Sequence, residues 1–425
     1  MTDRSSGPLA GIRVVDITQE IAGPLAARIL AEMGADVIHV EPLRGDNGRN
    51  STTRYLGTEG MFHVVCNRSK RSLALDTGSP QGVEVLQRLI GSADVLIDGT
   101  TPGTLERLGF SYAQLAAQNP MLVYGALTGY GRRGPLGNKR GYDVLVQSLC
   151  GVLAPPQKGK QRELLGYLYA DTATPLMLVN GILAALFARD RTGRGQYVET
   201  SLLQGAIHML GPALLSVDDD PDMQAWVDAA VRAELPQEPG EVRDSAGATR
   251  AGDPTTQIFE AGDGKLFMLA AWTDAQFRIL CDVLGLEQIG SDDAYATRLA
   301  RAAHGEDLRD LIGACLLTRT AAEWIEVLGA AGIPCGAVHL NPLALGQEDH
   351  LWESDMLLRL QHPSKGMMTQ PGVGILFGDT PMQVTGPAPR LGEHTEEILT
   401  ELGYASEQTS ELVRAGVVTC ASVAA

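Results

Sequence analysis

Ile12-Arg13-Val14-Val15-Asp16, then Pro24 and the run 25–33, then Gly34, then Asp36-Val37-Ile38-His39-Val40-Glu41: this stretch decides the fold. The first and last runs are short, apolar and rich in β-branched residues, the texture of buried strands. Between them Pro24 suits a helix start, residues 25–33 carry a helical period, and Gly34 ends it. Strand, helix and strand within about thirty residues make a βαβ unit, which closes as a right-handed parallel crossover.

The alternation continues in both type and spacing. Residues 72–76, 94–98 and 121–130 read as strands and 81–90 as a helix. Ser111 opens another helix, with Gln114 three residues on at capping-box spacing. The first 130 residues therefore predict an open, mostly parallel, Rossmann-like sheet with helices on its faces. Helices are predicted over 142–153, 176–189 and 202–215, with a short strand over 197–200. At 256 the texture changes: 256–260 and 265–270 flank Asp263-Gly264, a hairpin signal, and helical patterns follow over 275–284, 308–317 and 321–331. The expected class is α/β, in a large discontinuous domain plus a small α+β domain. The large α/β domain covers 1–216, an acidic linker 217–253 (with one helix near 223–233) and the small domain 254–340. The link 336–340 then returns the chain to the large domain over 341–425, which ends in helices 393–402 and 406–414.

Composition narrows the function. A chain of 425 residues with 44% hydrophobic but only 5% aromatic residues builds an aliphatic core. A net charge of −17 excludes nucleic acid and an anionic membrane as main partners, since both need a basic face. An anionic ligand would depend on the local basic clusters Lys70-Arg71, Arg107, Arg132-Arg133 and Lys139-Arg140. Six scattered cysteines with no CxxC pair read as reduced thiols. The N-terminal residues carry no apolar signal region, and the apolar stretch 176–188 contains Asn180 and Gly181 and is too short for a bilayer, so a soluble cytoplasmic protein is expected.

Common catalytic motifs fail. Gly129-Tyr130-Gly131-Arg132-Arg133-Gly134 matches a dinucleotide loop, but Pro135 and Gly137 stop the helix that such a loop requires. The eight histidines never fall at HxH or HExxH spacing, so no metal is expected. Cys335, in Gly332-Ile333-Pro334-Cys335-Gly336, reads as a packed thiol. What remains is Tyr167-Leu168-Tyr169-Ala170-Asp171-Thr172-Ala173-Thr174-Pro175, opening onto a long apolar helix. A carboxylate there faces free backbone N–H groups and the positive end of the helix dipole, which would hold it ionised and fixed. By itself that is either a nucleophile or a plain N-cap.

Segments along nearly the whole chain resemble the family III CoA-transferases, the group of formyl-CoA, carnitine and bile-acid CoA-transferases and their α-methylacyl-CoA racemase relatives. The likeness rests on Leu9-Ala10-Gly11-Ile12-Arg13-Val14-Val15-Asp16, Ala22-Gly23-Pro24, Gly34-Ala35-Asp36-Val37-Ile38-His39-Val40-Glu41, Lys70-Arg71-Ser72-Leu73, Leu105-Glu106-Arg107-Leu108-Gly109-Phe110, Gly141-Tyr142-Asp143, the Asp171 segment, Thr192-Gly193-Arg194-Gly195-Gln196 and Leu391-Gly392-Glu393-His394-Thr395. The resemblance implies a two-domain α/β subunit in an interlocked homodimer. It implies that Asp171 attacks an acyl-CoA thioester, forms a mixed anhydride, then carries CoA as an aspartyl thioester to a free carboxylic acid. It implies coenzyme A contacts at Ala22, Lys70, Arg107 and Arg140, with Gly23 and Tyr142 as secondary choices, and neither ATP nor a metal. Where the family often has His or Gln before Ala-Gly-Pro, this chain has Gln19-Glu20-Ile21; Pro42 replaces a basic residue, with Arg44 two places on; and Gly99-Thr100-Thr101 replaces an Asn-aromatic pair. Two alternatives stand. A 2-methylacyl-CoA racemase would carry histidine where this chain has Tyr142, whose ordinary pKa of about 10 makes it a poor base; Asp274 falls near that group's assisting Glu. A non-catalytic acyl-CoA-binding protein would not need Asp171.

Overall fold

The computed structural model describes residues 6–50, 55–56, 59–153, 164, 166–234 and 254–421. The chain divides into two compact units, Met1–Leu215 with His350–Ala425, and Ser216–Asp349.

The first unit is built on one seven-stranded sheet. From edge to edge it runs Val418–Thr419, Arg71–Leu75, Asp36–Glu41, Arg13–Ile17, Val95–Asp98, Val123–Thr128 and Tyr197–Ser201. All pairs are parallel except the outermost, where Val418 lies antiparallel to Leu75. Neighbouring side chains alternate faces, as strand geometry requires. Val14, Val37, Val95 and Val123 face a core shared with the helices Ala22–Glu32 and Tyr169–Thr192. Val15, Ile38, Leu73, Leu96 and Tyr124 face the other, closed by Pro80–Gly91, Tyr112–Gln118, Thr395–Glu401 and Ser406–Arg414. Helices on both faces explain why the strands read as continuous apolar runs. The Ser111–Gln114 capping box is present.

The second unit holds a three-stranded antiparallel sheet in which Leu266–Ala270 lies between Thr256–Glu260 and Cys335–Ala337. Phe259, Phe267, Phe277 and Trp324 fill its core. Residues 336–337, expected as part of the link 336–340, thus belong to a strand of this sheet.

Three further differences from the sequence reading have physical causes. The long helix spans Tyr169–Thr192 rather than 176–189, because Pro175 is tolerated inside it. Proline there removes the N–H that would have bonded to the Asp171 carbonyl. The 24-residue helix is also long and apolar enough by composition to cross a bilayer, unlike the shorter stretch considered from sequence, but half of its apolar window packs in the core. A hairpin, Leu357–His362 with Gly366–Pro371, falls in a region where no strands were expected. Residues 154–163 and 165 lie outside the described residues, as does 235–253 of the acidic linker. All six cysteines are free thiols, and Cys335 donates its S–H to the Ile325 carbonyl, as a packed thiol should.

Candidate active site

The sheet order reverses between Arg13–Ile17 and Val95–Asp98: later strands add outward on both sides of this pair. Ligands of open α/β sheets bind at such a point, beyond the carboxyl ends of the strands. A cleft of about 500 Å³ lies there, lined in part by residues at or just beyond the carboxyl ends of four strands. They are Thr18 to Gly23 after the first strand, Arg44 and Asn47 after the second, Gly99 to Pro102 and Thr104 after the fourth in chain order, and Leu127, Thr128 and Gly129 at the end of the fifth. Lys139 to Asp143, Asp171 and Leu202 complete the wall. The close approach at Gly23 needs glycine, because a Cβ there would meet the Thr18 side chain at 2.3 Å.

Asp171 is the third residue of the long helix and half-buried in this cleft. It is not the cap. Asp143, buried and reaching in from the helix Asp143–Leu149, accepts from the N–H groups of Ala170 (2.7 Å) and Asp171 (3.0 Å). Asp143 takes the role the sequence reading gave to Asp171: a carboxylate satisfying free amides at a helix start. Among the described residues, no hydrogen-bond donor reaches the Asp171 carboxylate. Burial first, then the charges of Asp143 and Glu20, push its carboxyl up to about 7. The expectation of a firmly ionised Asp171 is therefore corrected: near neutrality it is poised between acid and carboxylate. A more basic carboxylate without competing donors is the better nucleophile.

Beneath the cleft lies a buried charge network. Asp16, next to last in the first strand, accepts from the Thr18 amide, from His39 Nδ1 (2.9 Å) and from Lys70 Nζ (2.9 Å). Burial would raise Asp16, but Lys70 and His39 outweigh it and hold the carboxyl well below its usual range. His39 Nε2 faces Asp46 at 3.2 Å. Burial would lower the imidazole; Asp16 and Asp46 outweigh burial and hold it up at about 9. His39, Glu41 and Asp46 bring their ligand atoms within 4.8 Å of one another, a spacing a metal could use, but Arg49 pairs with Glu41 at 2.8 Å and already balances part of that charge.

The sequence-predicted contacts separate clearly. Ala22, Gly23, Arg140 and Tyr142 line the cleft; Arg140 is exposed there beside Lys139. Arg107 does not line it; its guanidinium donates to Thr104 Oγ1 at 3.2 Å, and Thr104 does line it. Lys70 must be reassigned: it is 2% exposed, and its ammonium donates to Asp16, to the Pro24 carbonyl (2.8 Å) and to Asn67 Oδ1 (2.7 Å). With three donors used, Lys70 supports the Ala22-Gly23-Pro24 turn rather than meeting a ligand. Asp274 is paired with Arg301 at 2.8 Å in the second unit. Sequence reasoning missed Glu20, Asn47 and the capping role of Asp143. From sequence, Asp143 stands only as the acidic residue of the Gly-Tyr-Asp run and Glu20 only within Gln19-Glu20-Ile21, neither with a role.

The chain is similar to known proteins along nearly its whole length. The sequence profile of CoA-transferase family III matches residues 9–395. The formyl-CoA:oxalate CoA-transferase of Streptomyces coelicolor is 31% identical over 96% of this chain and 99% of its own. The succinyl-CoA:glutarate CoA-transferase of Mus musculus is 28% identical over 97% of this chain and 91% of its own. A crystal structure of a CAIB/BAIF family protein from Brucella suis superposes with a TM-score of 0.74 at 28% identity, covering 93% of this chain and all (100%) of that one.

Proposed function

The chain belongs to CoA-transferase family III, and from that premise we propose that it moves CoA between carboxylic acids through covalent intermediates on Asp171. The observation that carries this reading is a half-buried carboxylate, pushed up to about 7, in the cleft where the sheet order reverses.

In the proposed sequence an Asp171 oxygen attacks the thioester carbonyl carbon. The C–S bond breaks, giving a mixed anhydride and CoA thiolate. The thiolate attacks the aspartyl carbonyl, the anhydride C–O bond breaks, and the donor acid leaves as its carboxylate. An acceptor carboxylate then attacks the aspartyl-CoA thioester, and the same two steps run in reverse on the acceptor. One thioester replaces another and no net proton is taken up, so the chain needs to supply only position and oxyanion stabilisation. Small residues at Ala22, Gly23, Gly99 and Gly129 let backbone approach the reacting centre. Arg44, Lys139 and Arg140 suit the phosphates of CoA, with Arg107 one helical turn from the rim. Among the described residues that line the cleft none is a histidine, which favours acyl transfer over α-proton exchange. The subunit is proposed to act as a homodimer. The names of the two curated relatives make glutarate and oxalate the diacids to set beside monocarboxylic acids on a first acceptor panel.

Asp171→Ala is expected to lower transfer by more than about a thousandfold while leaving the far-ultraviolet spectrum unchanged. Wild-type protein mixed with acetyl-CoA and quenched with borohydride should carry a reduced side chain at position 171 by mass spectrometry. Full activity in the alanine variant would end the proposal.

A further inference from the structure

Glu20 is a charge that the transfer chemistry leaves without a task. It lines the cleft with Asp171, and its charge reaches Asp171 strongly enough to help raise that carboxyl. Its backbone is left-handed (φ 69), a conformation that disfavours residues other than glycine and asparagine. The fold holds that conformation from behind. A Cβ on Gly48 would lie 2.8 Å from the Glu20 carbonyl oxygen, so the two segments can meet only because residue 48 is glycine. Burial, and then the charge of Asp46, raise the Glu20 carboxyl, and Asn47 beside it opposes that rise. Among the described residues no ion pair neutralises it. Asp143 is also acidic, but its carboxylate is occupied by helix amides. The cations Arg44, Lys139 and Arg140 are exposed, whereas Glu20 and Asp171 are the half-buried acidic pair of the lining.

We propose that Glu20 determines specificity: its carboxylate excludes acids that carry a second negative charge, so the acceptor is a monocarboxylic acid. The proposal rests on transfer through Asp171. An acceptor must bring its reacting carboxylate to the aspartyl carbonyl. In a short diacid the second carboxylate is tethered only a few carbon atoms away, so it stays inside the region where Glu20 acts on Asp171. There, partly shielded from water, like charges repel more strongly than on an open surface. An uncharged end of the same shape meets no such repulsion; discrimination comes from the built-in clash of charges. A dicarboxylic donor thioester faces the same exclusion.

The test compares glutarate with glutaramate, which match in shape and differ by one charge, as acceptors from acetyl-CoA. Wild-type protein is expected to prefer glutaramate in kcat/KM by about tenfold or more. Glu20→Gln, and Glu20→Asn, whose side chain tolerates a left-handed backbone, should bring the ratio close to one through a gain on glutarate. Each ratio is internal to one preparation, so a loss of folded protein cancels. Equal use of both acids by wild type, or an unchanged ratio in both variants, overturns the proposal. Borohydride labelling of residue 171 by acetyl-CoA alone is run beside it. Labelling without discrimination removes the Glu20 proposal only, and absent labelling removes the transfer reading with it.

Discussion

At the scale of single residues, the Asp171 carboxyl sets stability against chemistry. Its folded value, about 7, stands above the ordinary value of 3.8 because burial and then Asp143 and Glu20 oppose its charge. A raised carboxyl favours the fold when protonated. That contribution is complete below the unfolded value and is lost as pH rises through about 7, so at pH 8 the folded protein bears the full penalty of the charge. Asp171→Asn removes the charge at nearly constant shape. It is expected to stabilise the fold by about 1–3 kcal/mol at pH 8, discounted from the full shift because the side chain is partly solvated, and by less at pH 5. Urea unfolding at the two pH values checks this, and an asparagine variant no more stable than wild type at pH 8 would contradict it. The prominence of Asp171 was legible from sequence, because its neighbours match a family pattern, and the structure puts it in the cleft wall. Its protonation was not, because Asp143 and Glu20 are distant in sequence and reach it only through the fold. The left-handed backbone of Glu20 was equally hidden, since nothing in Gln19-Glu20-Ile21 announces it.

At the scale of elements, the loops after the first two strands form one part of the cleft wall and are held by charges packed beneath them. Lys70 ties Asp16 near the end of one strand to the Pro24 carbonyl in the next helix, and His39 ties Asp16 to Asp46. Removing one partner of a buried pair leaves the other uncompensated, which typically costs about 3–5 kcal/mol. Lys70→Met is therefore expected to lower the melting temperature sharply. Arg140→Ala, on the exposed wall, should leave the melting temperature near wild type and raise KM for CoA esters several-fold. Thermal melts and KM measured on both variants check the contrast; a stable Lys70→Met protein with only a raised KM would restore Lys70 as a ligand contact. Sequence could not separate the two residues, since both are basic and stand near element ends, and depth is a property of the sheet rather than of the motif. The elements themselves were largely readable: the βαβ period, the Asp263-Gly264 turn and the Ser111 cap each carry a local signal. Those that were missed lack one. The strand Val418–Thr419 is two residues long and exists only because Arg71–Leu75 offers an edge. The first turns of the helix Tyr169–Thr192 were hidden by a proline that tertiary packing tolerates.

At the scale of the whole molecule, the first unit leaves large apolar side chains exposed along one side of its long helix. The long helix keeps Ala170, Leu178, Ile182 and Ala185 in the core. Leu176 and Phe187, 57% and 65% exposed, stand on its outer side with Asn180 and Ala184 between them at helical spacing. Met209 on the following helix, then Leu214 and Leu215, extend the exposed apolar series to 59%, 57% and 63%. Scattered exposed leucines need no explanation, but an apolar stripe on a helix whose opposite side is core marks an interaction surface. Because Asp171 lies in the first turn of that same helix, covering the stripe would also stiffen the element that carries the proposed nucleophile. The homodimer proposed above is the covering that requires no second kind of chain. Phe187→Glu with Met209→Glu is expected to convert a dimer into a monomer in light scattering. It should also lower kcat more than it raises KM for acyl-CoA, because the loosened helix misplaces Asp171 while Arg44, Lys139 and Arg140 lie on other segments. A wild-type protein that runs as a monomer with full activity would refute the dimer, and a monomeric double variant with wild-type kcat would refute the coupling between the stripe and the nucleophile.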